Sequence, residues 1–441
     1  MFFLYLLSLQ IIGDVAILSG FSIANFLTWL LIIIIMYEIL LKKTPVPIFY
    51  NIVAPFIVFI IVILCSVLWT KFRGFPISFL FCISKVIWRI DWLVILIFTP
   101  ILLNTDFKIK FVLNFLIICG AILSIIGLSE FLFGQYFFYN FIVKSIKGYI
   151  YGTSVTLAVE DIMRIKSSFH SPNAFAAYLN IFTPFLIATI FFAKSKGKIF
   201  FSLGILFIYL FGILSSVSRG AFLSLAIIFL LVLFTAMKKK LITVLILLPF
   251  LILFLSLEIT QIMIDRFELM TSGNDLSSLL RLAFWHTAWE IIKSNPILGT
   301  GFYNFQATYP LYVSPKLPDM IREMSPYHAH NIFLQMGSGV GLIGLLLFIG
   351  HLWSVLLVLI YFFKTASTEN HKILFLGSIG AWANVIVHGQ VGYAWSHYAN
   401  GTVFWIIIGM CISTYLRHYY KPPGRFKIKN LSFSLMLSDK G

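Results

Sequence analysis

Charged side chains are scarce in this sequence. They make up 11% of its 441 residues, whereas 60% of the residues are hydrophobic. A soluble domain averages roughly 25% charged residues, so a chain this poor in charge cannot cover a water-facing surface. The mean hydropathy of +0.98 indicates that its solvent is lipid. The apolar runs lack the alternation of barrel strands, so we expect an all-α integral membrane protein.

Acidic residues and cysteines are also few. There are 16 acidic against 32 basic residues, a net charge of +16. Membrane topology explains this excess, so we expect no nucleic-acid partner. The four cysteines (Cys65, Cys82, Cys119 and Cys411) lie in apolar segments without metal-site spacing, and we expect no disulfide. Asp14 interrupts the first apolar run, which therefore does not resemble a removable signal peptide.

The apolar runs predict about twelve transmembrane helices, each needing about 20 residues to cross the hydrocarbon core. The predicted spans are 1–18, 20–41, 50–70, 80–103, 111–133, 172–193, 199–217, 220–237, 241–259, 340–363, 373–392 and 400–417. We expect nine helices within 1–259, with a smaller outer loop at 134–171. A large helical catalytic loop at 260–339, three helices within 340–417 and a basic tail at 418–441 complete the predicted organisation.

The basic residues orient these spans. If both termini are cytoplasmic, every short inner turn is basic, as the positive-inside rule requires. The inner turns and the tail then contain Lys42, Lys43, Lys108, Lys110, Lys194, Lys196, Lys198, Lys238, Lys239, Lys240, Lys364, Lys372, Arg417 and Lys421. The two long loops fall on the outer face, where we expect the chemistry.

The larger outer loop contains the strongest candidates. Its residues 276–293 have helical character, and the Asn-Pro pair at 295–296 should end that helix. Arg281 and Trp285 are four residues apart and share a face of it. Downstream, 330–338 is predicted to be a short helix running into the tenth span, preceded by His328 and His330.

His330 is a candidate general base, because an imidazole with a pKa of about 6.5 is largely neutral near pH 7. His328, two positions away, leaves the assignment of the base open between the two. An ordinary hydrogen-bonded surface histidine is the alternative interpretation. A zinc site is disfavoured, because the loop has no His-Glu-x-x-His pattern and no cysteine.

Several basic residues lie where the topology predicts few. Arg219, in an outer turn, is either a phosphate ligand or a snorkelling anchor. Arg164 adds positive potential at the same face. Lys85 and Arg89, one turn apart inside the fourth span, either face a common anion or form structural pairs elsewhere in the bundle. Trp285 and Tyr327 are candidates to stack on sugar rings, although aromatic residues are also common at membrane interfaces.

Together these residues form an ordered set of motifs. The set comprises Phe169-x2-Pro172-Asn173-x-Phe175-Ala176-x-Tyr178-Leu179, Ser218-Arg219-Gly220, Arg281-x3-Trp285-x2-Ala288, Asn295-Pro296-x2-Gly299-x-Gly301-x2-Asn304-Phe305, His328-x-His330-Asn331-x2-Leu334 and Gly341-x2-Gly344. In this order and on one face, they resemble the O-antigen ligase and polymerase superfamily. The resemblance extends over about residues 120–360.

The resemblance implies a metal-independent, inverting glycosyltransferase of the bacterial inner membrane, with its active site facing the periplasm. The donor would be a glycan on undecaprenyl diphosphate, and no cofactor is expected. His330 or His328 would activate an acceptor hydroxyl. Arg219 and Arg281 would bind the diphosphate, with Arg164, Lys85 and Arg89 as further donor ligands. Trp285, Asn331 and Tyr327 would contact sugar or acceptor. The sequence has no Asp-x-Asp motif, which agrees with this chemistry.

The acceptor separates the two main hypotheses. A ligase would transfer the glycan to lipid A–core, whereas a polymerase would use a second lipid-linked repeat unit. We favour the ligase, because the motif-rich loop lies late, before the last three spans; a protein or other acceptor is a variant. A transporter of lipid-linked sugars is disfavoured, because its charges should line the membrane midplane.

Overall fold

The structure is a computed structural model that describes residues 48–133, 164–169, 171–235, 276–392 and 397–420. Before residue 48 it describes residues 6, 16–18, 21–22, 28–33, 36–37 and 41. The described secondary structure is helical, apart from one antiparallel ribbon of β1 (Ala16–Leu18) and β2 (Phe21–Ser22). The ribbon corrects the adjoining ends of the predicted spans over 1–18 and 20–41, where residues 16–18 and 21–22 are strands.

Twelve helices follow within the described residues. They are α1 (Tyr50–Phe72), α2 (Phe79–Leu102), α3 (Asp106–Phe133), α4 (Pro172–Phe192), α5 (Lys196–Ser215), α6 (Arg219–Thr235), α7 (Leu276–Ser294), α8 (Phe305–Tyr312), α9 (Asp319–Arg322), α10 (Ile332–Thr365), α11 (Glu369–Gly389) and α12 (Tyr398–His418).

Seven of the described helices are long and apolar enough to cross a membrane: α1, the first 24 residues of α3, α4, α5, α10, α11 and α12. Helix α6 is apolar but shorter, and α2 contains the three charged residues Lys85, Arg89 and Asp91. These nine helices lie where spans were predicted. The count of twelve is not confirmed, since at least half of each of the predicted spans over 1–18, 20–41 and 241–259 lies outside the described residues.

Helices α4, α11 and α12 form the centre of the bundle. Helix α12 buries every residue from Tyr398 to Tyr415, and α4 packs along α11. Large apolar side chains face outward on the surrounding helices: Phe107 is 77% exposed and Phe200 is 81% exposed. Such a surface is stable in lipid and costly in water.

The bundle has two chemically different ends. At one end Lys198 bonds Glu369 and Arg417 bonds Asp106, which brings together the starts of α3, α5 and α11 and the end of α12. We call it the lysine end, because its turns hold Lys108, Lys194, Lys196, Lys198, Lys364 and Lys372. The opposite end, the arginine end, contains the starts of α4, α6 and α10, the ends of α5 and α11, and all of α7.

Helix α10 is broken at Gly341, whose φ of +69° and ψ of −174° are not helical. The break redirects backbone hydrogen bonds toward the segment after α7. The amide of Leu342 donates to the Pro296 carbonyl at 2.6 Å, and the amide of Thr300 donates to Ser338 at 3.0 Å. A Cβ at Gly341 would overlap the carbonyl of Ile297, so only glycine fits there. We call this joint, residues 296–301 against 338–342, the backbone clasp.

Candidate functional site

Helix α7 presents the first part of the site. It spans Leu276–Ser294 and ends at the Asn-Pro pair, as predicted. Its buried face carries Phe284 and Ala288, which pack with Tyr309 and Ala329 in an apolar cluster separate from the bundle core. Arg281 lies one turn before Phe284 and is half-buried, so the packing of α7 fixes where its guanidinium sits.

The segment from His328 to Asn331 forms the second part. The amide of Ala329 donates to Oε1 of the buried Gln335 at 2.8 Å, and the side chain of Asn331 accepts from the amides of Phe333 and Leu334 to cap α10. Between these anchors His330 adopts a φ of +54°, in the left-handed region that non-glycine residues rarely occupy. Strain of this kind persists only where surrounding contacts enforce it, and it is concentrated at functional sites.

The His330 imidazole is held against α7. Its ring stacks on Phe284 with centroids 5.9 Å apart and 18° between planes, and the His328 ring lies edge-on at 4.2 Å. Burial, and secondarily the positive charge of Arg281, lower the pKa of His330 to about 4. The imidazole is therefore neutral at pH 7 and able to accept a proton. His328 and His330, the two predicted candidates for the base, lie side by side. Their positions do not distinguish which of them is the base, so this choice stays a prediction.

Arg219 begins α6 and reaches the same helix α7. Its NH2 donates to the hydroxyl of Ser278 at 3.4 Å, one turn before Arg281. The preceding turn contains Val217 at a φ of +48°, an uncommon conformation for a β-branched residue. The first amides of a helix also carry partial positive charge, which adds to the guanidinium at this point.

Arg164 lies beside that turn. Its Nε donates to the carbonyl of Ser216 at 2.9 Å and its NH2 donates to Oδ1 of Asn173 at 3.1 Å. Asn173 lies in the first turn of α4, whose Ser171 N-cap and Pro172 agree with prediction. Arg164 therefore lies at the turn that holds Arg219. Both residues were predicted to bind the donor, and that role stays a prediction.

The end of α11 is a part of the site that the sequence analysis missed. The side chain of Asn331 donates to the carbonyl and Oε1 of Gln390 at 3.2 and 3.3 Å, and Gly389 packs directly on Ile332. His388 is buried immediately before this contact. An isolated histidine near the end of an apolar run carries no sequence signal for this proximity, which depends on how α10, α11 and α6 pack.

Lys85 and Arg89 lie in an aromatic cage. The Lys85 ammonium is 3.1 Å from the centroid of Trp88, and the Arg89 guanidinium is 4.2 Å from Trp92. Arg89 also donates to the hydroxyl of Tyr303 at 3.1 Å. The hydrogen bond to Tyr303, with cation–π contacts of Arg89 to Phe302 at 5.1 Å and of Lys85 to Tyr303 at 5.7 Å, holds the segment after the clasp against α2 and gives both cations a structural role. Donor binding by Lys85 and Arg89 stays a prediction.

The remaining candidates are more peripheral. Trp285 is half-buried one turn beyond Arg281, and within the described residues its buried Nε1 has no hydrogen-bond partner. Tyr327 is 64% exposed at the edge of the site. Most of the predicted loop at 134–171, residues 260–275 of the larger loop and the tail after 420 lie outside the described residues.

A comparison with protein families agrees with the motifs. Residues 203–349 match the family model described as O-Antigen ligase. The matched stretch is about a third of the chain, runs from α5 into α10, and includes Arg219, Arg281, His328, His330 and Asn331. No curated protein matches the chain. The apolar helices indicate a multi-pass membrane protein. The match over 203–349 confirms the predicted resemblance of this stretch to the O-antigen ligase superfamily.

Proposed function

We propose that this protein is an inverting glycosyltransferase that moves a glycan from undecaprenyl diphosphate to an acceptor hydroxyl at the arginine end of its bundle. The observation that carries the proposal is that His330 and Arg219 both contact α7, the helix that carries Arg281. His330 stacks on Phe284, Arg281 acts electrostatically on His330, and Arg219 bonds Ser278. In this proposal the neutral His330 is the base, Arg281 lies near it, and Arg219 contacts α7 one turn before Arg281, an arrangement that suits transfer from a diphosphate.

The proposed reaction is a single displacement. The acceptor hydroxyl gives its proton to a nitrogen of His330, and its oxygen attacks the anomeric carbon of the donor sugar. The bond from that carbon to the diphosphate oxygen breaks, and the electron pair leaves with the diphosphate. Attack from the opposite side inverts the configuration.

Arg219 and Arg281 stabilise the departing group in this proposal. Negative charge grows on the bridging oxygen as the bond breaks, and guanidinium groups already in place stabilise it without reorganising. Guanidinium also matches phosphate oxygens with two parallel hydrogen bonds. Arg164, beside the Arg219 turn, extends this positive surface.

Donor binding also adjusts the base. In the empty site Arg281 contributes to the low pKa of His330, about 4, which weakens it as a proton acceptor. A bound diphosphate brings negative charge that offsets Arg281, so the pKa of His330 rises in the complex. The base then becomes stronger only when the donor is present.

Lipid A–core is the acceptor we favour, with the active site facing the periplasm of a bacterial inner membrane. The polymerase alternative has the same donor and base and differs only in using a second lipid-linked repeat unit. Trp285, Tyr327 and Asn331 are the proposed contacts of the acceptor sugar; Trp285 is half-buried and Tyr327 is 64% exposed.

Transfer assays with the purified protein in lipid nanodiscs test the proposal. The donor is undecaprenyl-diphosphate glycan, supplied with lipid A–core or without it. Product on lipid A–core supports the ligase, whereas longer lipid-linked chains without lipid A–core support the polymerase. If the donor stays intact in both arms, the glycosyltransferase proposal is wrong.

A further inference from the structure

His388 is a buried histidine whose hydrogen bonding the fold does not explain. It lies one residue before the end of α11 and is 3% exposed. Within the described residues neither Nδ1 nor Nε2 has a hydrogen-bond partner. An imidazole always has at least one N–H to donate, and leaving a buried donor unsatisfied is costly. Such a group commonly marks a position where a ligand or water completes the bonding.

The surroundings of His388 place it next to the proposed donor site. A Cβ on Gly220 would lie 3.4 Å from Cδ2 and 3.5 Å from Nε2 of His388, so the residue after Arg219 passes directly by this edge of the ring. Arg281 acts electrostatically on both His388 and His330. The Nε2 edge therefore borders the start of α6, where Arg219 precedes Gly220.

The other side of His388 adjoins the start of α10, which follows His330, the proposed base. Gly389 packs on Ile332, and Gln390 bonds the side chain of Asn331, the neighbour of His330. His388 thus lies at the junction of the α6 start, which carries Arg219, and the α10 start, which follows His330. A small cavity of about 10 Å³ beneath it, lined partly by Asn384 and Asn400, has room for about one water.

A second buried histidine, His351, provides a comparison, because its surroundings indicate a purely structural role. His351 is 1% exposed, and its ring nitrogens also have no hydrogen-bond partner in the described part of the chain. Its ring is stacked between Phe56 at 4.6 Å and Trp405 at 5.3 Å. Among the described residues no aromatic ring stacks on His388, whose near neighbours are Gly220 and Gly392. Among the described residues, aromatic packing therefore accounts for His351 but not for His388.

We infer that His388 is a further donor-binding residue: its Nε2–H donates a hydrogen bond to the diphosphate that Arg219 and Arg281 hold. The inference rests on the proposed function, because it assumes a diphosphate at the arginine end. The chemistry needed is the Nε2-protonated tautomer, with Nδ1 facing the Gly392 side. A glutamine amide can place its N–H close to the position of Nε2, whereas the shorter asparagine cannot.

Binding and kinetics with three variants test this inference. The probe is undecaprenyl diphosphate without a glycan, titrated onto the full-length protein in nanodiscs. His388→Phe keeps the ring volume and removes the hydrogen bond, so we expect the Kd for the probe and the donor KM to rise about 10-fold or more, with the acceptor KM unchanged. His388→Gln should recover most of the binding, and His388→Asn should not. The matched control His351→Gln should leave the Kd for the probe as in wild type.

Each result decides the question. If His388→Phe is poorly folded by size-exclusion chromatography, the Gln and Asn variants carry the test. Equal probe affinity in those two variants and wild type overturns the inference, as does an equal loss in His351→Gln. If the wild-type protein transfers glycan and the His388 variants bind the probe as tightly as wild type, the inference about His388 is wrong but the proposed function stands. If wild type neither binds the probe nor transfers glycan, the proposed function fails as well.

Discussion

The two ends of the bundle use their cations differently. At the lysine end the described ion pairs are direct: Lys198 lies 2.9 Å from Glu369, and Arg417 lies 2.9 Å from Asp106. At the arginine end the hydrogen bonds that orient Arg164 and Arg219 go to a carbonyl, an amide oxygen and a hydroxyl. The described ion pairs at the lysine end join different helices, whereas the described pair of Lys293 with Glu290 at the arginine end lies within α7. At the arginine end, Arg164 and Arg219 instead connect segments through the neutral acceptors just named.

Backbone conformation separates the ends in the same way. Among the described residues, the non-glycine positions with positive φ are Ser167, Val217, Tyr303 and His330. All four lie in segments at the arginine end. Since such conformations cost about 1–3 kcal/mol each, they indicate where the fold trades stability for the placement of side chains.

The largest expected difference between the ends comes from their histidines. His330→Ala should lower the transfer rate by about 100-fold or more, because it removes the general base. His371→Ala, at the lysine end, removes a histidine bonded to Tyr419 and should leave the rate within about twofold of wild type. Initial rates at saturating donor measure both. Full activity of His330→Ala would shift the base assignment to His328, and His328→Ala is then the deciding variant.

The arginines should show the next largest difference. Arg281→Ala and Arg219→Ala should each raise the donor KM by about 10- to 100-fold, because each removes a charged hydrogen bond to phosphate. Arg417→Ala, at the lysine end, should leave donor KM unchanged. Lysine at 219 or 281 should restore only part of the affinity, since an ammonium cannot bind phosphate in the two-pronged manner. A donor KM unaffected by either alanine variant would contradict the diphosphate assignment.

The pH dependence should distinguish the empty site from the occupied one. Only neutral His330 accepts a proton, so activity falls as pH drops through its pKa, which is about 4 in the free protein. The acid limb of kcat/KM should therefore lie near pH 4, and that of kcat should lie higher because the bound diphosphate raises the pKa. Arg281→Ala removes a neighbouring positive charge and should move the kcat/KM limb to higher pH. An unmoved limb in that variant would show that Arg281 does not influence the base.

The smallest effect is expected from opening the lysine end. Asp106→Asn removes the ion pairs with Arg417 and His418, at a carboxylate that is 53% exposed. Exposed pairs contribute about 1 kcal/mol or less, so Tm should fall by at most a few degrees. Transfer kinetics should stay as in wild type. A large loss of activity with an intact fold would mean that the two ends are coupled.

Local sequence patterns predicted the elements that depend on nearby residues. Hydropathy located the nine helices α1–α6 and α10–α12 to within several residues, whereas the short helices α8 and α9 were not predicted. The Asn-Pro pair gave the end of α7, and Ser171 with Pro172 gave the start of α4. The ribbon at 16–22 was missed because an apolar run continues through it, and a Ser-Gly pair alone was a weak signal.

Features that depend on distant packing were beyond the sequence. Lys85 and Arg89 were predicted as donor ligands because charge within a span tends to mark function, but Tyr303, more than 200 residues away, supplies part of their aromatic cage. His388 drew no attention because its relation to Gly220 exists only in the folded bundle. A charge inside a helix is visible in one sequence, whereas its partner is not.

The backbone clasp has a consequence for exchanging parts between related enzymes. It joins residues 296–301 to 338–342 through main-chain atoms, at glycines that tolerate no side chain. The segment between these two strips, residues 302–337, begins and ends at the same joint. A chimera that exchanged residues 296–301 without residues 338–342 would separate two strips whose main-chain atoms are matched to each other. A graft that replaces residues 305–326 would leave the main-chain bonds of the clasp in place, but it must supply an equivalent of Tyr309, which packs on Phe284, the ring on which His330 stacks.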